Sequence, residues 1–468
     1  MGRQVESDAF INDEEIGKAL AGNRRPDSGR IREVLTKAEE LQGLDPAEAA
    51  VLMPISEPAL LSEMFAAAKR VKNAIYGRRM VIFAPLYISS LCGNECLYCA
   101  FRAMNQEIRR RVLSQEEIAG ETRTLIEQGH KRILLVAGEA YPQPEGFQYV
   151  LDAIRTIYSV KSGPGEIRRV NANIAPLTQD EFGRLKETGI GTYQLFQETY
   201  HRNTYARIHV AGKKIDYAWR VAAFDRAMAA GIDDCGIGVL FGLFNWNYEV
   251  VAMLQHVRHL EREFGVGPHT ISVPRLEPAA GSSLAERPPA AVSDADFQKI
   301  VAILRLAVPY TGIILSTRET ADMRRRLFTL GVSQISGGSR TNPGGYSGGG
   351  REDAGSQFSL GDHRSLDEVI YDLAKLGLIP SFCTGCYRLG RTGKDFMDLA
   401  KPGDIRRHCD SNAFSTFQEY LLDYASPRTR EVGERLIAGA VNEMAAEVRE
   451  RIEAMLEQVR AGKRDVYC

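Results

Sequence analysis

Val81-Ile82-Phe83-Ala84-Pro85-Leu86-Tyr87-Ile88 opens a rhythm that the residues before it lack. The preceding chain reads as helices over 31–42, 45–53 and 60–76. From residue 81 onward, β-rich runs alternate with amphipathic helical stretches. The later runs are 132–136, 168–174, 192–197, 236–241, 270–273, 312–316 and 332–335. Several intervening helices open on capping boxes, Ser114 with Glu117 and Thr178 with Glu181. Strand–helix alternation predicts parallel pairing with right-handed crossovers. An open doubly wound sheet would use the same alternation, but eight units in about 260 residues predict an α/β fold closed as a (β/α)8 TIM-type barrel.

The barrel is expected to span 79–341, after an N-terminal helical extension over 1–78. Asn342-Pro343-Gly344-Gly345-Tyr346-Ser347-Gly348-Gly349-Gly350 suits neither helix nor strand and marks a loop leaving the barrel. A C-terminal domain over 342–468 reads as helical, with Ser365 and Glu368 as a further capping box.

Just past the first run comes Leu91-Cys92-Gly93-Asn94-Glu95-Cys96-Leu97-Tyr98-Cys99-Ala100-Phe101, a C-x3-C-x2-C spacing with an aromatic residue before the third cysteine. Cysteine thiolates hold iron–sulfur clusters. Three of them on one loop can wrap a four-iron cubane and leave one iron open, as a chemical site requires. A zinc knuckle or three unrelated thiols is the competing reading, weakened by the lack of a nearby fourth ligand. Cys383, Cys386 and Cys409 form a second set, C-x2-C-x22-C. The same cluster logic applies there, beside a structural zinc completed by His408 or His363. Cys235 reads as a packed core thiol and Cys468 as a mobile end without a role.

Apolar residues at 44% and charged residues at 25% are ordinary globular usage, sufficient for a large core. A formal net charge of −1 gives no electrostatic reason to expect nucleic acid or an anionic membrane as partner. The N-terminus has no apolar secretory stretch, and the best candidate span, 300–315, contains Arg305 and Pro309. Clustered cysteines without a secretory signal predict metal chemistry in the cytoplasm.

Barrel enzymes carry their chemistry where strands end. Cys92, Cys96 and Cys99 follow the first run, and Gly138-Glu139 closes the second. The fourth ends in Gln197-Glu198-Thr199-Tyr200, with Arg207 beyond it. The seventh ends in Ser316-Thr317-Arg318-Glu319. A guanidinium there is suited to grip a carboxylate bidentately, with Ser316 adding a neutral donor; outside a barrel, Arg318 would be a surface ion-pair residue. His269 precedes the sixth run and so belongs to the opposite mouth. It would hydrogen-bond a loop there, or ligate an extra iron if the C-terminal domain caps that mouth.

The first cysteine spacing resembles the signature of the radical S-adenosylmethionine (SAM) family, in which the open iron of a 4Fe-4S cluster binds SAM and one electron releases a 5′-deoxyadenosyl radical. Tyr98 matches the aromatic position of that signature. Gly138-Glu139 resembles the family's Gly-Gly-Glu element, here with Ala137 first, whose backbone meets the SAM amino group; a simple strand-end turn is the other reading of that pair. Glu198 and Arg207 are expected to hold the ribose and carboxylate of SAM, a solvated loop face being the competing reading.

With both cysteine sets, Pro274-Arg275 and Ser336-Gly337-Gly338-Ser339-Arg340 added, nearly the whole chain resembles the radical SAM tyrosine lyase that matures di-iron hydrogenase. The resemblance implies cleavage of the Cα–Cβ bond of L-tyrosine to p-cresol and dehydroglycine. Dehydroglycine would then yield carbon monoxide and cyanide at a second 4Fe-4S cluster, captured on an extra iron held by cysteine and His269. Ser316 and Arg318 would bind the substrate carboxylate. Free cysteine, an electron donor such as a ferredoxin or flavodoxin, and other maturation proteins are the implied partners. Two alternatives stand beside it: the thiamine-type lyase that stops at dehydroglycine and lacks the C-terminal cluster domain, and a non-catalytic zinc-stabilised assembly protein.

Overall fold

The computed structural model describes residues 9–348 and 355–468. Eight strands stand side by side in chain order: β1 (Arg79–Ser89), β2 (Arg132–Ala137), β3 (Arg169–Asn173), β4 (Tyr193–Glu198), β5 (Cys235–Val239), β6 (Thr270–Ser272), β7 (Gly312–Leu315) and β8 (Gln334–Ser336). Each pair is parallel, and β8 closes on β1 through Val81↔Gln334, Ile82↔Ile335 and Phe83↔Ser336. The eight runs read from the sequence are these strands, with ends shifted by two residues at most.

Side chains alternate across each strand. Ile82, Ala84, Leu86, Ile133, Leu135, Val170 and Ala172 face the surrounding helices and form the main core. The inward positions differ from a usual barrel filled by branched apolar residues. Asn173, Gln194, Ser272 and Ser336 face the interior beside Phe83, Phe196 and Ile314. At Gly236 a Cβ would stand 2.5 Å from Thr270 Oγ1 and 2.7 Å from Gln194 Cγ, so β5 yields this space to its neighbours.

The C-terminal region is not purely helical. A ninth strand, β9 (Ile379–Ser381), runs parallel to the start of β1 through Arg79↔Ile379 and Val81↔Ser381. β1 is long enough to take β9 before it enters the barrel. Cys383 therefore follows β9 at the N-terminal mouth, whereas Cys92 follows β1 at the C-terminal mouth. Eleven strand residues separate those mouths by roughly 30 Å. The long helix Arg406–Asp423 packs on β9 and carries Cys409.

Before the barrel, the helix Pro58–Tyr76 packs against the barrel helix Asp294–Ala307. An unanticipated helix, Asp13–Gly22, is capped by Asn12, whose side chain accepts from the Glu14 and Glu15 amides. The glycine-rich loop folds back as turns over the described part of its length; Gly349 and Gly350 lie outside the described residues. Tyr346 anchors it, its hydroxyl donating to the Pro85 carbonyl at 2.6 Å and its amide to Glu121 at 2.9 Å.

Candidate active site at the two mouths of the barrel

The first cysteine loop is braced from two sides. Glu95–Cys96 pairs antiparallel with His209–Ala211, and the Leu97 amide donates to the Ile208 carbonyl at 2.9 Å. From the other side β2 presses on it, because the Gly138 amide donates to the Ser89 carbonyl at 3.0 Å. Cys99 accepts from the Phe101 amide at 3.4 Å and from Gln357 Nε2 at 3.7 Å. Burial pushes its thiol up to about 11 and raises those of Cys92 and Cys96 as well. Metal coordination would remove those protons.

Tyr98 points inward from this loop, its hydroxyl 2.9 Å from His209 Nε2. His209 Nδ1 lies 3.0 Å from the Tyr205 carbonyl, which can only accept. Nδ1 therefore carries the proton and Nε2 accepts from Tyr98. Burial, with Lys214 and Arg220 nearby, lowers the His209 pKa to about 2, so the ring is neutral.

Glu139 and Glu198 share two cations that the sequence did not single out. Arg220 Nη1 donates to Glu139 at 2.8 Å, and Lys214 Nζ donates to Glu198 at 2.7 Å. Asn94 ties this pair to the cysteine loop, donating to Glu139 Oε2 at 2.7 Å while accepting from the Lys214 amide at 3.0 Å. Burial alone would raise the Glu139 pKa, but Arg220 and Lys214 outweigh it and hold the carboxylate ionised. Glu198 has φ 71°, a left-handed backbone uncommon outside glycine, at an irregularity in the pairing of β4 with β5. Arg207 is placed differently from its expectation. It is exposed on the short helix Arg202–Ile208, with Nη2 3.3 Å from Thr204 Oγ1, and does not line the cavity.

A cavity of about 160 Å³ opens beside Cys99 and Tyr98 and reaches Ser316 and Arg318 on the far wall. Arg318 is half-buried, and its guanidinium lies 3.3 Å from the centre of the Phe358 ring. Phe358 belongs to the segment 355–362, which crosses this mouth. Gly361 and Asp362 amides donate to the Thr317 carbonyl at 2.9 and 3.0 Å, and the Ser359 amide to the Pro278 carbonyl at 2.9 Å. Arg324 pairs with Asp362 inside the protein. The stretch after the barrel thus roofs the site.

At the opposite mouth, Cys383, Cys386 and Cys409 surround a cavity of about 50 Å³ with Arg79, Arg132, His269 and Tyr387. His269 lines this space; His408 and His363 do not. His269 Nε2 lies 3.3 Å from Tyr387 Oη, and its Nδ1 makes no hydrogen bond among the described residues, with Asp234 Oδ1 3.6 Å away. Burial and three nearby arginines keep the imidazole neutral, a state able to ligate metal. Cys386 and Cys409 shift in opposite directions: the Cys386 thiol is pushed up by Cys409 and by burial, and that of Cys409 is lowered by Cys386 and Arg79. Arg79 Nε and Arg132 Nε are buried with no hydrogen-bond partner among the described residues. Buried guanidinium groups call for an anion, and a thiolate-bound iron–sulfur cluster suits that donor set.

Among the described residues, no three His, Cys, Asp or Glu side chains converge as a single-ion site requires. Cubane ligands have no such need, since each binds a different iron. Cys235 is buried in the core, as expected. Cys468 is not loose: its amide donates to Asn412 Oδ1 at 2.8 Å and its carbonyl accepts from Arg391 at 2.8 Å. Among the described residues, no helix is long and apolar enough to cross a membrane.

Comparison with known proteins agrees with this geometry. The Radical SAM superfamily pattern matches residues 86–257, and that of the Biotin and Thiamin Synthesis associated domain matches 272–379. A crystal structure of HydG, a maturase of the FeFe-hydrogenase, superposes with a TM-score of 0.94 at 48% identity, over 98% of this chain and 100% of that one. The chain belongs to the HydG family of radical SAM proteins. The family's HydG from Carboxydothermus hydrogenoformans is 40% identical with a TM-score of 0.83, covering 96% of this chain and 99% of that one. A 2-iminoacetate synthase from Escherichia coli (strain K12) is 33% identical, over 73% of this chain and 89% of the relative. Membership implies a 4Fe-4S cluster and SAM, and Cys92, Cys96 and Cys99 are the thiols that fit that cluster.

Proposed function

We propose that this chain cleaves the Cα–Cβ bond of L-tyrosine to p-cresol and dehydroglycine, and that dehydroglycine is converted at the second cysteine set to carbon monoxide and cyanide. These would leave with iron as a carbonyl–cyanide precursor of a hydrogenase di-iron centre. One observation carries the reading: two sets of three thiols stand at opposite mouths of a single barrel with a polar interior. The names of the relatives support it, HydG being described as a hydrogenase maturase and 2-iminoacetate being dehydroglycine.

Cys92, Cys96 and Cys99 would hold a 4Fe-4S cluster whose electron cleaves bound SAM. Gly138, Glu139, Glu198 and Tyr98 would orient SAM, with Lys214 and Arg220 fixing the two carboxylates. Arg318 and Ser316 grip the tyrosine carboxylate, a charge-assisted contact strengthened by burial. The roof over 355–362 keeps water from a reactive carbon radical. Cys383, Cys386 and Cys409 would hold a second cluster, with His269 the ligand available for an extra iron. Free cysteine, a ferredoxin or flavodoxin and other maturation proteins complete the cytoplasmic reaction. The barrel is taken as 79–341, between the helical extension and the C-terminal domain.

Anaerobically purified protein should contain about eight irons, two cubanes' worth. Cys386→Ser should keep p-cresol formation and lose carbon monoxide. Retained carbon monoxide would remove the second-site assignment, and a wild-type protein that makes no p-cresol would remove the lyase reading. The likeness to 2-iminoacetate synthase favours a second reading, a lyase that stops at dehydroglycine; wild-type protein making p-cresol without carbon monoxide would establish it.

A further inference from the structure

The carboxylates around the cavity at the C-terminal mouth are unequal. Glu198 is engaged by Lys214 at 2.7 Å. Glu319, beside Arg318, is held by both arms of Arg275, with Nε at 2.8 Å. Glu277, on the loop after β6, lines the same cavity and is half-buried, yet makes no hydrogen bond or ion pair among the described residues. Burial, reinforced by Glu319, pushes its carboxyl up to about 7 despite the pull of Arg318 and Arg275. Arg318 does not pair with it, being stacked on Phe358. A partly desolvated carboxylate without a cation is unfavourable until one arrives.

An α-amino acid presents a carboxylate and an ammonium group on one carbon. Reading both takes a cation and an anion around one space, and the loops after the adjacent strands β6 and β7 provide Glu277 and Arg318 to the lining of one cavity. We propose that Glu277 receives the ammonium group of the amino-acid substrate, forming with Arg318 a pair that reads the zwitterion. This rests on the tyrosine-lyase reading and adds a residue to it. Arg318 alone would accept any phenolic acid of the right length; Glu277 restricts the site to α-amino acids. It also fixes the nitrogen, and not only the carboxylate, relative to SAM.

The test is equilibrium dialysis of the anaerobic holoenzyme against L-tyrosine and against 3-(4-hydroxyphenyl)propanoate, which lacks only the amine. Wild-type protein should prefer tyrosine by roughly tenfold or more. Glu277→Gln should abolish that preference while binding the deaminated acid as the wild type does. Glu277→Asp, which keeps the charge, should retain part of it. A preference surviving in Glu277→Gln, or an equal loss of both ligands in both variants, overturns the proposal. Measuring p-cresol in the same preparations separates the two claims. A wild type that makes p-cresol but whose Glu277→Gln variant still discriminates sinks this assignment alone, whereas a wild type that neither makes p-cresol nor discriminates sinks both.

Discussion

A Cβ atom on Gly138 would stand 2.0 Å from the carbonyl oxygen of Leu91. The end of β2 and the entrance to the first cysteine loop therefore touch at a point where only glycine fits. Gly138→Ala would push the loop outward, and overpacking of this kind costs about 1–3 kcal/mol. Iron content should fall to about half, near four per chain, because the distant second set keeps its thiols in place. A full iron load in this variant would contradict that coupling.

Arg318→Leu removes the half-buried guanidinium opposite the first cysteine set. The lost charge-assisted contact is worth about 1.5–3 kcal/mol, so KM for tyrosine should rise roughly 10- to 150-fold. The iron content and the effect of SAM on the first cluster should be unchanged. Steady-state kinetics of p-cresol release decide it, and an unaltered KM removes the assignment.

Phe358 supports Arg318 and roofs the cavity, so Phe358→Ala should loosen both. More SAM would then be cleaved without productive turnover. The ratio of 5′-deoxyadenosine to p-cresol, near its minimum in the wild type, should rise several-fold (roughly, by the kinetic cost of a misplaced substrate). A constant ratio would show that the roof has no sealing role.

The barrel was legible because its β-rich runs are long enough to separate from the helices around them, and the order of runs dictated which mouth each motif occupies. His269, placed before a strand, lines the same cavity as Cys383, Cys386 and Cys409. β9 escaped because three residues including Pro380 carry no alternation; only its pairing with the overhanging start of β1 makes it a strand. Nothing in Lys213-Lys214-Ile215 or Ala218-Trp219-Arg220 marks Lys214 and Arg220 as buried. Their roles come from Glu139 and Glu198, distant in sequence. Arg207 had the right chemistry but lies on an exposed helical face. Gln357 and Phe358 sit in a stretch without periodicity, and nothing in the sequence announces that it folds back over the barrel.

Glu249 lies outside the reacting cavity and tests the electrostatics of the fold. Its side chain is buried, accepting from the Thr199 hydroxyl and from the Tyr200 amide at 2.8 Å. Burial raises its pKa from 4.5 to about 7. The folded state thus favours the neutral acid, and this group's contribution to stability falls as pH rises from about 4.5 through 7, on the order of 3 kcal/mol in total. Glu249→Gln keeps an acceptor without the charge. Its Tm should exceed that of the wild type at pH 8 and match it near pH 5. Equal Tm values at pH 8 would mean that the buried carboxyl is relieved by other means.

The most direct measurement is the electron paramagnetic resonance spectrum of the anaerobically reduced protein with and without SAM. The expected result is a 4Fe-4S signal that changes on SAM addition and disappears, with its response, when Cys92, Cys96 and Cys99 are together replaced by serine. A spectrum that SAM leaves unaltered would contradict an open iron at these three thiols, and with it the chemistry assigned to this barrel.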